Sequence, residues 1–89
     1  MSRTVEFTDE AWETYLFWQR QDKKTLKRIN ELIKDIKRDP FNGIGRPEAL
    51  VSNLAGCLSR RIDEKNRLIY KVSDQRISII SCRYHYGDK

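Results

Sequence analysis

Residue types that could cleave RNA without a metal ion lie in the second half of this chain. Such cleavage needs a base for the 2′-hydroxyl proton, a cation beside the phosphate and an acid for the departing 5′-oxygen. His85 is the only histidine, and histidine is the side chain that ordinarily exchanges protons near neutral pH. Taken alone, a histidine so near a chain end is more often simply solvated. His85 is therefore a candidate acid that depends on its neighbours.

Glu48 is the candidate base. It follows Arg46 and Pro47 in a segment that holds both prolines of the chain. A glutamate in such a loop is usually solvated and without a catalytic role. The assignment therefore requires the fold to bring Glu48 close to the other candidates.

Arginines and tyrosines near the predicted strands supply groups that bind phosphate and bases. The arginines are Arg60, Arg61, Arg67 and Arg83. Guanidinium groups bind phosphate oxygens through paired hydrogen bonds, and period-two geometry can bring several of them onto one face of a sheet. Tyr84 and Tyr86 flank His85, and unpaired RNA bases commonly stack on such rings. Ordinary packing is the alternative for either tyrosine.

Two amphipathic segments predict the helices that would support these residues. Thr8 can cap a first helix whose opening turn holds Asp9 and Glu10, which suit the positive end of the helix dipole. Asp22 can cap a second helix, which Pro40 ends. Apolar residues recur along the second helix: Leu26, Ile29, Leu32, Ile33 and Ile36. Its other side is basic, and is either solvated or faces phosphate: Lys24, Lys27, Arg28, Lys34, Lys37 and Arg38.

Alternating polar and apolar residues predict strands over residues 3–7, 57–62, 67–72 and 77–83. Residues 40–56 are predicted to form a structured loop with a short helical turn near residues 49–54. The order of elements predicts an α+β fold. A short N-terminal strand and a three-stranded antiparallel meander would form its sheet, and both helices would pack on one face.

Composition limits the class of protein. With 89 residues the chain is predicted to form one domain over residues 1–89. A net charge of +5 and a pI near 9.4 favour a polyanionic partner such as nucleic acid. Cys57 and Cys82 lack the spacing of a zinc site or a disulfide framework, so we expect two reduced, packed thiols. No secretion signal or membrane span is apparent, which predicts a cytoplasmic protein.

Seven segments along nearly the whole chain form a distinctive order: WETYLFWQ at 12–19, KRINELIKD at 27–35, PF at 40–41, GRPE at 45–48, SRRI at 59–62, RLIY at 67–70 and CRYHY at 82–86. In these segments the chain resembles the YoeB/Txe branch of the RelE-type toxins. The resemblance implies a RelE-like fold, similar to that of microbial ribonucleases. It also implies cleavage of mRNA in the ribosomal A site without a cofactor or metal, and hence inhibition of translation.

The resemblance also assigns roles and partners. Glu48 would be the general base, Arg67 would stabilise the phosphorane-like transition state and His85 would be the general acid. Tyr86 would help to hold the substrate, with Arg61 nearby. A YefM/Axe-like antitoxin with a flexible C-terminal segment would wrap the toxin and disorganise its site. Contact with operator DNA would come through the antitoxin, and the toxin would frequently dimerise.

Two alternatives come from other functional classes. ParE relatives share this order of elements but poison a DNA topoisomerase without being enzymes, and fold alone does not separate the two activities. A plain RNA-binding module would use the basic helix to bind phosphates and would not cleave. The joint presence of Glu48, Arg67 and His85 with Tyr86 favours the nuclease, because binding alone does not require these residues.

Overall fold

The computed structural model describes residues 3–85. In chain order these residues form β1 (Thr4–Phe7), α1 (Asp9–Gln21), α2 (Lys23–Arg38), β2 (Glu48–Ala49), a 3₁₀ turn (Ser52–Leu54), β3 (Leu58–Arg61), β4 (Asn66–Val72) and β5 (Arg76–His85). Two helices pack on a mixed sheet of five strands. The predicted α+β fold is therefore confirmed, including both helices, the first strand and the meander.

Side-chain caps set the starts of both helices. Thr8 Oγ1 accepts a hydrogen bond from the backbone N–H of Ala11 at 3.1 Å. Asp22 Oδ1 accepts from the N–H groups of Lys24 at 3.0 Å and Thr25 at 3.4 Å. These bonds satisfy backbone donors that the first turn of a helix leaves without a partner. Both helix starts therefore follow from a short stretch of sequence.

The strands lie in the order β1-β5-β4-β3-β2. β3, β4 and β5 form the antiparallel meander, and β1 joins its edge parallel to β5, with Val5 opposite Ile77. β2 adds to the other edge through Glu48, which lies opposite Ser59. β2 is not predicted from the sequence, because two residues are too few to show an alternating pattern. The predicted helical turn is the 3₁₀ turn at Ser52–Leu54.

The core lies between the helices and one face of the sheet. From α2, Ile29, Leu32 and Ile36 are fully buried, as their helical spacing predicts. They pack in one cluster with side chains of β4 and β5 and the residue after β3: Ile62, Leu68, Tyr70, Ile77, Ile79 and Cys82. At a typical 1.5–3 kcal/mol for each large apolar side chain removed from water, this cluster is the main stabilising contribution.

The cysteines are packed thiols, as predicted. Cys57 and Cys82 are both buried and neither forms a disulfide. Burial raises the pKa of the Cys82 thiol to about 12, against a smaller lowering by a hydrogen bond with Thr14. Cys82 is therefore unreactive at neutral pH. Within residues 3–85, neither helix combines the length and the apolar character that crossing a membrane requires.

Arg60 is the centre of a buried polar cluster. Its side chain is fully buried, and Nη1 donates to Asp35 Oδ2 at 2.6 Å and to the carbonyl of Ile44 at 3.0 Å. Nη2 donates to the carbonyl of Asp39 at 2.7 Å, and Nε to the Tyr70 hydroxyl at 3.2 Å. This placement corrects the prediction that Arg60 binds phosphate. Strand alternation turns Arg60 toward the helices, where its hydrogen bonds are used inside the protein.

The same cluster orders the chain that follows α2. The Tyr70 hydroxyl donates to the carbonyl of Pro40 at 2.7 Å. Gly45 has a φ of +79°, and a Cβ there would lie 2.8 Å from Leu32 Cδ2. Its carbonyl accepts the N–H of Arg61 at 2.6 Å. Residues 39–45 are thus held against β3 and α2 by buried hydrogen bonds, which fixes the direction from which the chain enters β2.

Asp35 should make the protein sensitive to acid. Hydrogen bonds from Arg38, then from Arg60 and the N–H of Ile44, hold the pKa of Asp35 well below its usual range. A lowered pKa in the folded state adds stability that is fully present above the unfolded pKa of about 3.9. That stability is lost as the pH falls further toward the folded pKa. The free energy of unfolding, measured by urea titration, should therefore drop below about pH 4.

The matched test replaces one carboxylate at a time. Asp35→Asn should destabilise the protein at pH 6 and flatten the fall in stability below pH 4. Asp74→Asn, in the exposed turn between β4 and β5, serves as the control and should leave the profile close to that of the parent chain. An Asp35→Asn profile that keeps the parent's full acid sensitivity would contradict this account.

Candidate functional site

The turn before β2 brings Glu48 to the sheet. Gly45 and Arg46 both have positive φ, at 79° and 53°, a backbone conformation that reverses the chain and that glycine adopts without strain. Glu48 then pairs with Ser59 of β3, and its side chain is exposed. The predicted base is thus on a strand at the edge of the sheet instead of in a solvated loop.

Arg61, Arg67 and Tyr84 form a row across three strands. Arg61 lies opposite Arg67 and Arg67 lies opposite Tyr84, and directly opposed residues of antiparallel strands share a face. Because Arg60 points into the core, alternation places this row on the face away from the helices. Ser59, two residues before Arg61, shares this face, so its partner Glu48 does as well. The open face therefore brings together a carboxylate, two guanidinium groups and an aromatic ring.

Arg67 is anchored to the turn between β3 and β4. Its Nη1 donates to the carbonyl of Asp63 at 2.8 Å, of Asn66 at 3.2 Å and of Glu64 at 3.4 Å. The residue is only partly exposed. Anchoring by backbone carbonyls restricts the rotamers of a long side chain, and because carbonyls carry no net charge, these bonds do not neutralise the guanidinium. A cation held in this way is suited to a phosphate.

His85 is the last described residue of β5 and lies opposite Asn66. Its Nε2 is 2.6 Å from Asn66 Oδ1. The Asn66 side chain is buried, and its amide nitrogen donates to both carboxylate oxygens of Asp63 at 3.1 Å. Asn66 therefore contacts His85 through its side chain and Arg67 through its carbonyl. The predicted acid and the predicted phosphate cation meet at this one residue.

The register sets the spacing of the three predicted catalytic residues. Glu48 and Arg67 lie two strands apart, and two residues apart along the strands. With about 4.8 Å between strands and about 3.3 Å per residue, their backbones are about 12 Å apart. His85 lies opposite Asn66, the residue before Arg67, so alternation starts its side chain from the other face of the sheet. At this end of β4 and β5, Asn66 is the residue that links His85 to Arg67.

The remaining predicted site residues are placed differently. The Arg83 guanidinium lies 3.8 Å from the ring centroid of Phe17 on α1, a cation–π contact that draws it away from the row of Arg61 and Arg67. Arg83 is nonetheless exposed. Tyr86 lies outside the described residues. Among residues 3–85, no group of three or more histidine, cysteine, aspartate or glutamate side chains could hold a metal ion.

Asn66 and Asp63 are site residues that the sequence analysis did not single out. Both belonged to the predicted turn between the first two strands of the meander. The signal in the sequence was an aspartate three residues before an asparagine, a spacing typical of turns in which the aspartate accepts backbone N–H groups. Only the pairing of β4 with β5 shows that this turn adjoins His85.

Comparison with known proteins identifies the family of this chain. The sequence profile of a family described as YoeB-like toxin of bacterial type II toxin-antitoxin system matches residues 7–86. Toxin YoeB of Synechocystis sp. is 56% identical over 82 residues, which cover 92% of this chain and 95% of that protein. Toxin YoeB of Escherichia coli strain K12 is 54% identical over 80 residues, covering 90% of this chain and 95% of that protein.

Solved structures show the same fold. A YoeB dimer from Staphylococcus aureus superposes with a TM-score of 0.87 at 49% identity, covering 94% of this chain and 98% of that one. The toxin in a heterotetrameric YoeB-YefM toxin-antitoxin complex from the same organism gives a TM-score of 0.85, again at 49% identity and the same coverage. On the profile match, the identities and the shared fold, this chain belongs to the YoeB-like toxins of bacterial type II toxin–antitoxin systems.

Proposed function

We propose that this toxin is a ribosome-dependent endoribonuclease that cleaves mRNA in the A site and so inhibits translation. The observation that carries the proposal is the arrangement around Arg67: Glu48 shares its face of the sheet, and Asn66 contacts both Arg67 and His85. A binding protein needs a basic surface, whereas a nuclease also needs a proton acceptor and a proton donor on either side of a phosphate.

The proposed reaction is attack by a ribose 2′-oxygen on the adjacent phosphorus. Glu48 accepts the 2′-hydroxyl proton as the new P–O bond forms. Arg67, with Arg61 beside it, stabilises the additional negative charge on the phosphorane. The bond to the 5′-oxygen then breaks, and the protonated His85 ring donates its Nδ1 proton to that oxygen, while the Nε2 proton stays in its hydrogen bond with Asn66 Oδ1. The products are a 2′,3′-cyclic phosphate, which can hydrolyse to a 3′-phosphate, and a free 5′-hydroxyl.

Two further residues complete the proposed substrate contacts. Tyr84 adjoins Arg67 on the open face, where its ring is suited to stacking on an unpaired base. Tyr86 is proposed to help to hold the substrate. The three proton-transfer and charge roles are filled by side chains, so the proposed reaction needs no metal or cofactor.

Mapping mRNA ends after incubation with and without programmed ribosomes tests this function. We expect cuts within the A-site codon, cyclic-phosphate or 3′-phosphate ends, and no cutting of DNA, which lacks the nucleophile. RNA binding without cuts would instead support a plain RNA-binding module. DNA breaks trapped by gyrase in the presence of the toxin would support the topoisomerase poison of the ParE type.

The proposed partners follow from the family. The S. aureus relatives are described as a YoeB dimer and as YoeB-YefM complexes. We propose that this toxin likewise forms a dimer and binds a YefM/Axe-like antitoxin, through which it contacts operator DNA. The proposed site of action is the cytoplasm, where ribosomes and mRNA are present.

The basic side of α2 should contribute to ribosome association. Lys24, Lys27 and Lys34 lie on one exposed side of this helix, in the layer opposite the open face. Replacing all three by glutamine should weaken binding of programmed ribosomes. It should also make the plot of log affinity against log salt concentration less steep by roughly 2 to 3, because each neutralised phosphate contributes about 0.7–0.9 to that slope.

Glu31→Gln on the same exposed side provides the control of opposite sign. It removes a negative charge and should slightly strengthen binding, with kcat unchanged in both variants. An unchanged salt dependence in the triple variant would show that this side of α2 is merely solvated.

A further inference from the structure

We propose that Asp63 and Asn66 form a positioning pair that holds the His85 ring in one orientation with its proton on Nε2. The inference rests on the proposed function insofar as His85 is the acid, and it extends that function to two residues of the turn between β3 and β4. Neither residue touches the reacting atoms in this scheme, so both act through His85.

The turn itself is rigidly organised by Asp63. Its Oδ1 accepts the backbone N–H of Lys65 at 2.8 Å and of Asn66 at 2.7 Å. Burial alone would raise the pKa of Asp63, but hydrogen bonds from the backbone and side chain of Asn66 outweigh it and hold the pKa below its usual range. The carboxylate is therefore ionised at neutral pH and can only accept hydrogen bonds.

An ionised Asp63 determines which end of the Asn66 amide faces His85. The amide nitrogen lies 3.1 Å from both Asp63 oxygens, which is favourable only with the NH₂ group on that side. The amide oxygen must then face the ring, and Asn66 Oδ1 is indeed the atom 2.6 Å from Nε2. Because an amide oxygen cannot donate, Nε2 must carry the proton. The chain of contacts therefore specifies both the ring orientation and the tautomer of His85.

Burial makes this contact effective. Only 6% of Asn66 is exposed, so water competes poorly for its amide, and a hydrogen bond in such surroundings is stronger than one in water. Asn66 also accepts from Arg67 through its carbonyl at 3.2 Å. A displacement of Asn66 would thus disturb the predicted acid together with the predicted phosphate cation.

Nitrogen-15 NMR of the full-length chain tests the contact without reference to activity. His85 is the only histidine, so its ring signals need no site assignment among several. We expect the neutral ring to carry its proton on Nε2 and this proton to exchange slowly with water. In Asn66→Leu the exchange should become roughly fivefold faster or more, as loss of one hydrogen bond predicts.

Cleavage of mRNA on programmed ribosomes tests the consequence. Asn66→Leu should lower kcat by roughly 10- to 100-fold with little change in KM, since a misplaced catalytic group slows the chemical step more than binding. The double variant Asp63→Asn/Asn66→Asp exchanges the two side chains. In this variant the amide oxygen at position 63 would still accept hydrogen bonds from the backbone N–H groups of the turn, and the amide nitrogen would donate to the carboxylate at position 66. That carboxylate would accept a hydrogen bond from Nε2 of His85. This variant should recover most of the lost kcat and the slow exchange of the Nε2 proton.

The outcomes separate this proposal from the proposed function. A parent chain that does not cleave mRNA overturns the nuclease, while its NMR spectrum still decides whether Asn66 holds the ring. A parent chain that cleaves, beside a folded Asn66→Leu variant of equal kcat, overturns the positioning role. If Asn66→Leu does not fold, two other measurements test the proposal. A neutral His85 ring of the parent chain with its proton on Nδ1 would contradict it. A folded double variant Asp63→Asn/Asn66→Asp with kcat far below that of the parent chain would also contradict it.

Discussion

Replacing Glu48 by glutamine, or His85 by glutamine, should lower ribosome-dependent mRNA cleavage by roughly 10²- to 10⁴-fold. Glutamine keeps the size and polarity of both positions but neither accepts nor donates the transferred proton. The loss should appear in kcat measured in a single turnover, with KM and ribosome binding nearly unchanged, because Arg61 and Arg67 remain to bind the phosphate.

The size of the effect depends on both residues acting on one phosphate. Catalytic groups that work as a unit show non-additive losses, because neither group is effective without the other. We therefore expect kcat of the double variant Glu48→Gln/His85→Gln to be little lower than kcat of the slower single variant. Glu13→Gln on the exposed side of α1 is the matched control and should cleave like the parent chain. Undiminished cleavage by either single variant would remove that residue from the mechanism.

Replacing Arg60 by leucine should lower the free energy of unfolding by about 3–5 kcal/mol. The side chain is fully buried, and Asp35 has its oxygen 2.6 Å from Arg60 Nη1. Leucine would leave this carboxylate without its buried partner, together with the carbonyl groups of Asp39 and Ile44, which accept from the same guanidinium. For a domain of this size the loss corresponds to a fall in Tm of more than about 10 °C.

Urea unfolding measures this effect, with Arg61→Leu as the control on the neighbouring position of β3. Arg61 is exposed on the open face, so its replacement should change stability by less than about 1 kcal/mol. The double variant Asp35→Leu/Arg60→Leu should recover part of the loss, since the only charge then left without its partner is that of the exposed Arg38. Equal destabilisation by Arg60→Leu and Arg61→Leu would contradict the assignment of Arg60 to the core.

Arg60 and Arg61 differ in burial in a way that the sequence alone does not predict. Both were expected to bind phosphate, because adjacent arginines on a strand look alike in composition and charge. Alternation guarantees that the two point to opposite faces but does not say which face carries the helices. That choice follows from packing. Asp35 on α2, the carbonyls after this helix and the Tyr70 hydroxyl together accept the hydrogen bonds of Arg60, and Arg61 is left on the open face.

Glu48 and Asn66 show the same limit in the candidate site. The segment around Glu48 was predicted to be a loop, and the register with Ser59 is what places its carboxylate on the open face. Asn66 was predicted only as a turn residue, and its contact with His85 arises because β5 extends to the end of β4. The parallel addition of β1 beside β5 likewise joins residues about seventy positions apart.

Features that depend on neighbours along the chain follow from the sequence alone. Thr8 and Asp22 cap helices because their oxygens reach N–H groups two or three residues away, and Ile29 and Ile36 share a buried face because a helix repeats every 3.6 residues. The residues of the candidate mechanism were also found from their types and order. Which of these residues come into contact depends on the fold, because sheet pairing and burial join distant segments. Neither segment alone shows which other segment it will pair with. For His85, the sequence predicts a candidate acid, and the fold shows that its ring contacts Asn66.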